Sequence, residues 1–147
     1  MKKTLALAII TLATLATTTQ AQSLTFDETV KYINKKDNEI STGEGSMTAK
    51  KNGMLSYFTK DGYKYAEINL FDIELVHEYD ADFWKNYRFI YRCKYGQDCI
   101  KRFDEEDGNR FNDEMTENIQ NTAEAKKLIK AYNYLRTLCK KEVDPFN

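Results

Sequence analysis

The sequence has a single proline, Pro145, a single histidine, His77, a single tryptophan, Trp84, and no excess of basic residues. With its one proline near the C-terminal end, the chain carries no proline-rich linker, and nothing in its composition marks off a second domain. One histidine leaves little for nucleophilic catalysis. A Ser-His-Asp or Cys-His arrangement would have to use His77, and no nucleophile-elbow sequence accompanies it. The 22 lysines and arginines are matched by 23 aspartates and glutamates. Nucleic-acid binding therefore loses its main driving force, because there is no surplus positive charge to release counterions.

The first 21 residues read as a signal peptide. Lys2 and Lys3 form a short basic segment, and Leu5 to Leu15 is an apolar stretch interrupted only by threonine. Thr19-Gln20-Ala21 is a small-x-small cleavage signal, so processing is expected before Gln22. The apolar stretch is shorter than the ~18 to 20 residues of an uncleaved anchor, so no membrane anchor is expected in the mature chain. Taking 21 residues off the 147 leaves 126, one ordinary domain spanning 22–147. Without Lys2 and Lys3, 20 basic residues face 23 acidic ones, a net charge of about −3. The look of the segment is bacterial, which makes the expected location periplasmic or secreted.

Thr25-Phe26-Asp27-Glu28 fits a capping box, and Phe26, Val30 and Ile33 make one stripe of a short helix ending near Lys35. Lys36 to Gly45 reads as a polar loop. From Ser46 the period falls to two. Ser46–Ala49, Met54–Thr59 and Tyr63–Leu70 read as strands separated by Lys51-Asn52-Gly53 and Lys60-Asp61-Gly62, both turn signals. In the third strand the aliphatic side, with Ala66, Ile68 and Leu70, is expected inside. Phe71 to Val76 continues as a strand after a kink, and His77 to Asn86 reads as a polar connection carrying Trp84. Asp104 to Asn109 is a second acidic turn, and Arg110 to Met115 a last strand. Asn121 then stands three residues before Glu124, a cap-like spacing. Ala125, Leu128, Ala131, Tyr132, Leu135 and Leu138 recur every three or four positions, predicting a long amphipathic helix to about Lys141.

Tyr87 to Phe103 is the stretch with the clearest pattern. Tyr87, Phe89, Tyr91, Cys93 and Tyr95 alternate with Arg88, Ile90, Arg92 and Lys94, Gly96-Gln97-Asp98 supplies a turn, and Cys99-Ile100 begins a return. This reads as a β-hairpin with a cysteine in each arm. In an oxidising compartment three cysteines imply one disulfide and one leftover thiol. Cys93–Cys99 is the leading pair, a staple across the hairpin. A link from either to Cys139, and no bridge at all, are the alternatives. A redox-active pair is not expected, since the motif is not C-x-x-C at a helix start.

A helix, about six short antiparallel strands and a long amphipathic helix define an α+β class, with a strongly bent sheet or open barrel capped by the last helix. In TFDETVKYIN, RCKYGQDCI and AEAKKLIKAYNYLRTLC the chain resembles small exported bacterial proteins of pleckstrin-homology-like fold. The resemblance implies the fold. It does not carry a phosphoinositide ligand, because Lys50-Lys51-Asn52 is a thin basic loop, and the family's last-helix tryptophan is missing here.

No residue set points to a cofactor. His77 with Glu78, Asp80 and Asp82 reads as a solvated acidic loop rather than a metal site, since neighbouring residues diverge. A calcium loop with Gly108 at its sixth position would begin on Phe103, which has no side-chain oxygen. The ten tyrosines suit both a core and an interface. Tyr57, Tyr63, Tyr65, Tyr79, Tyr87 and Tyr95 are the candidates for a recognition surface. The function expected from these features is a non-catalytic exported module that binds an envelope or extracellular protein. The alternative is a small-ligand or lipid carrier with a cavity between the sheet and the last helix.

Overall fold

The computed structural model describes residues 23–40, 45–80, 86–104, 108–119 and 122–140. The expected signal peptide at 1–21, Trp84, Glu105 to Asp107 of the acidic turn, the Asn121 cap, Lys141 and Pro145 lie outside these residues. The fold is α+β. Helix α1 (Phe26–Ile40) is followed by eight strands, β1 (Gly45–Ala49), β2 (Met54–Thr59), β3 (Lys64–Asn69), β4 (Ile73–Asp80), β5 (Asn86–Cys93), β6 (Ile100–Asp104), β7 (Gly108–Asn112) and β8 (Glu114–Ile119), and then by α2 (Thr122–Leu138).

The capping box opens α1 as its residues dictate. Thr25 N donates to Glu28 Oε2 at 2.8 Å, and Glu28 N donates to Thr25 Oγ1 at 3.4 Å. The helix runs one turn past Lys35 because the apolar stripe continues: Ile40 lies seven residues after Ile33, and both are buried. Residues 36–40 are therefore helix, not loop. Asn34 ties α1 to β1, its Oδ1 accepting from Met47 N at 2.6 Å and its Nδ2 donating to Met47 O at 2.8 Å.

The strands form two antiparallel sheets rather than one bent sheet, and they do not close into a barrel. One sheet has the order β1-β2-β3-β6-β7, the other β4-β5-β8. As expected, β3 turns Ala66 and Ile68 inward, with Leu70 beyond its end. Phe58 pairs with Lys64 while Tyr57 pairs with Ala66, so Tyr65 is the extra residue of a β-bulge. Gly53 makes the turn before β2, at φ 88°. A Cβ there would lie 2.7 Å from the Phe71 ring, so the position takes only glycine. Strand β4 extends through His77 to Asp80 because it pairs with β5 along its whole length, which places His77 opposite Phe89 and not in a loop. The expected strand at 110–115 is split at Asp113 into the end of β7 and the start of β8.

The largest correction concerns the cysteine hairpin. Strands β5 and β6 do not pair with each other: β5 lies between β4 and β8, and β6 between β3 and β7. The residues from Lys94 to Cys99 carry the chain from one sheet to the other, beginning with a short 3-10 turn at Lys94–Gly96. Alternation marks each arm as a strand, but partner choice is settled by long-range pairing that alternation does not encode.

Helix α2 packs its predicted face, Ala125, Leu128, Ala131, Tyr132 and Leu135, into the core. Each fully buried Leu there is worth about 1.5–3 kcal/mol. Arg136 fixes its last turn to the turn before β4, Nε donating to Leu70 O and Nη2 to Ile73 O, both at 2.9 Å.

Candidate functional site

The crossing from β5 to β6 is a closed, braced corner. Cys93 and Cys99 form a disulfide with Cα atoms 5.7 Å apart, and Cys139 is the free thiol. Cys93 N donates to Asp113 O at 2.7 Å, binding this crossing to the one between β7 and β8. Lys94 reaches the β3–β4 turn twice, its N donating to Asp72 O at 2.8 Å and its Nζ to Phe71 O at 2.7 Å. Within that brace Tyr95 is held at φ 63°, the left-handed region, and is 92% exposed. A non-glycine residue there costs of order 1 kcal/mol or more and persists only because its surroundings enforce it. Beside Tyr95 lies an open cleft of about 560 Å³ lined by Glu74, Arg92, Lys94, Tyr95, Asp113 and Glu114. Three of its charges are already engaged, Lys94 as above and Arg92 with Glu114. Arg92 Nε and Nη2 both donate to Glu114 Oε2, at 3.2 and 3.1 Å.

The six candidate tyrosines do not make one face. Tyr57 is 1% exposed and belongs to the core, because on β2 it lies on the inward side with Leu55. Tyr65 is half-buried at the bulge, and Tyr63 is partly exposed in the turn before β3. Tyr79 and Tyr87, 52% and 40% exposed, are cross-strand partners with rings 5.0 Å apart. That pair stands six residues along the β4–β5 ladder from the Ile73–Cys93 end, about 20 Å from the corner. Tyr95 is thus separate from the Tyr79–Tyr87 pair.

A second cluster is internal and carries the unusual electrostatics. Tyr132 OH sits 3.2 Å from both Tyr57 OH and Tyr91 OH, a buried chain of three hydroxyls contributed by α2, β2 and β5. The Tyr91 ring meets Tyr57 and Tyr132 edge-on at 5.6 and 5.9 Å. Burial pushes all three phenols well above their ordinary range. Next to them Asp37 on α1 and Glu117 on β8 are near enough for each carboxyl to act on the other. Each side chain is half-buried as a whole, yet Asp37 Oδ1 and Glu117 Oε2 are buried and meet no hydrogen-bond partner among the described residues. Burial, and then the charge of Asp37, hold Glu117 well above the usual carboxylate range, while Arg102 acts weakly the other way. Burial raises Asp37 as well.

Neither carboxylate was singled out from the sequence, although a signal existed. Asp37 continues the inward stripe four residues after Ile33, and Glu117 alternates with the inward Met115 and Ile119. An acid at an inward position is the feature that stands out. Among the described residues no three metal-ligating side chains converge, and no helix is long and apolar enough to cross a membrane. Compared with known proteins, the chain matches no family model, no curated protein and no solved structure.

Proposed function

We propose that this chain is an exported, non-catalytic binding module that engages an envelope or extracellular protein through the disulfide-closed corner, with Tyr95 as the anchor. The observation that carries the reading is the presentation of Tyr95. It is an aromatic side chain almost wholly in water, held in a left-handed backbone conformation by a disulfide and by the braces at Asp72 and Asp113. Rigid aromatic side chains lose little entropy on binding and are the residues that anchor protein interfaces. The disulfide supports an oxidising compartment. The carrier alternative has less in its favour, since Leu128, Tyr132 and Leu135 of α2 are fully buried in the core. A pleckstrin-homology-like relationship stays part of the proposal, supported by the order of elements and by α2 lying against the strands.

The test is affinity capture from the native envelope and culture medium with three baits: the mature chain, Tyr95→Ala and Tyr79→Ala. A protein retained by the mature chain and by Tyr79→Ala, and lost with Tyr95→Ala, is the expected result. Equal retention by all three baits, with Tyr95→Ala folded by circular dichroism, overturns the assignment of the anchor.

A further inference from the structure

The cleft beside Tyr95 carries an unbalanced charge: three acids and two bases line it. Glu74, Arg92 and Glu114 stand opposite one another in a row across β4, β5 and β8. In such a row the central cation can serve the acid on either side. Arg92 serves one, its Nε and Nη2 both donating to Glu114 Oε2 at 3.2 and 3.1 Å. Glu74 is exposed, and its carboxylate has no hydrogen bond or ion pair among the described residues. The same is true of Asp113, whose backbone carbonyl takes the Cys93 amide and so fixes the residue at the corner. The Lys94 ammonium is spent on Phe71 O. Two carboxylates without a counter-charge therefore share the cleft with an aromatic ring that is 92% exposed. Its volume, about 560 Å³, falls within the ~300–1,000 Å³ of small-molecule sites.

We propose that this cleft receives an arginine side chain of the protein partner, its guanidinium against the Tyr95 ring and its charge met by Glu74 and Asp113. The inference rests on the reading of Tyr95 as the anchor, and it names what the anchor acts on. A guanidinium is planar and weakly hydrated, so it stacks on an aromatic face and donates to carboxylates at the same time; an ammonium does this less well. The disulfide and the left-handed backbone hold Tyr95 in place before the partner arrives, so little freedom is lost on binding. A partner that offers an acid here meets two like charges and is turned away. The pairing is partly open to water, so it sets partner choice more than affinity and weakens as salt is added.

The probe is acetyl-arginine amide, titrated into the unsubstituted protein and followed by amide NMR shifts. Acetyl-citrulline amide, similar in shape and without the charge, is the comparison. Binding at about millimolar concentration is expected, as suits so small a ligand, with the shifts gathered at Glu74, Tyr95 and Asp113. Citrulline should produce none of them. Glu74→Gln with Asp113→Asn is expected to weaken the probe about tenfold at low salt. Both side chains are exposed, and the Asp113 carbonyl that braces Cys93 is untouched. Shifts that are absent, that lie elsewhere, that citrulline reproduces, or that survive both substitutions overturn the inference. Affinity capture separates it from the reading beneath it. A partner lost with Tyr95→Ala but kept by Glu74→Gln/Asp113→Asn overturns the arginine and leaves the anchor standing. A partner kept by Tyr95→Ala overturns the anchor itself.

Discussion

The backbone amide of Cys93 donates to the carbonyl of Asp113 at 2.7 Å, so two of the three places where the chain passes from one sheet to the other are held side by side. The Cys93 sulfur lies 3.5 Å from Asn112 O as well. The disulfide therefore braces a junction between sheets, and the loop it closes carries Tyr95.

That placement sets what breaking the bridge does. It closes a loop only six residues apart in sequence, so its entropic contribution is at the lower end, about 2 kcal/mol. Cys93→Ser/Cys99→Ser is expected to lose about that much in urea denaturation, and added reductant should then have no further effect. Peptide mapping without reduction should find Cys93 joined to Cys99 and Cys139 free; a peptide linked through Cys139 contradicts the arrangement.

The hydroxyl of Tyr132 stands between those of Tyr57 and Tyr91. Tyr132→Phe removes two hydrogen bonds and strands two buried hydroxyls, each at about 1–3 kcal/mol. Tyr57→Phe or Tyr91→Phe removes only one bond. The order of stability in chemical denaturation should therefore be the unsubstituted chain, then the two end variants, then Tyr132→Phe. An end variant that is weaker than Tyr132→Phe would sink the assignment of the centre of the chain.

Arg136 spans two carbonyls, of Leu70 and Ile73, that belong to the turn between β3 and β4. Hydrogen bonds from a charged donor are worth about 1.5–3 kcal/mol. Arg136→Ala is expected to cost at least about 2 kcal/mol. Arg136→Lys should recover less than half of that, since an ammonium lacks the planar fork that reaches both acceptors. Full recovery by lysine would show that charge, not geometry, holds the turn.

Where structure follows from local pattern, the sequence can be read closely. The Thr25–Glu28 cap, the bounds of β2 and the inward face of α2 each rest on neighbours within four residues. Where it depends on distant partners, the reading goes astray. Tyr87 to Cys93 and Ile100 to Phe103 alternate as hairpin arms would, yet Tyr91 pairs with Leu75 and Met115, and Arg102 with Ala66 and Arg110. Asp37 and Glu117 stand eighty positions apart, and although each falls on an inward position of its own element, no local pattern says that the two are neighbours. Tyr95 was legible as a candidate residue, but its left-handed backbone and isolation from Tyr79 and Tyr87 were not, because both come from the corner.

The two helices also set the order in which the protein can be finished. Tyr134 OH on α2 donates to Leu24 O just before α1, a contact between residues 110 positions apart. Lys140 N likewise donates to Lys51 O at 2.7 Å. Helix α1 thus finds its resting place only when α2 arrives. Long-range closures of this kind slow folding. A chain delivered across a membrane from its N-terminus would stay open along this seam until its final turns had emerged, and a chain ending before Thr122 would leave Ile33 without its partner helix.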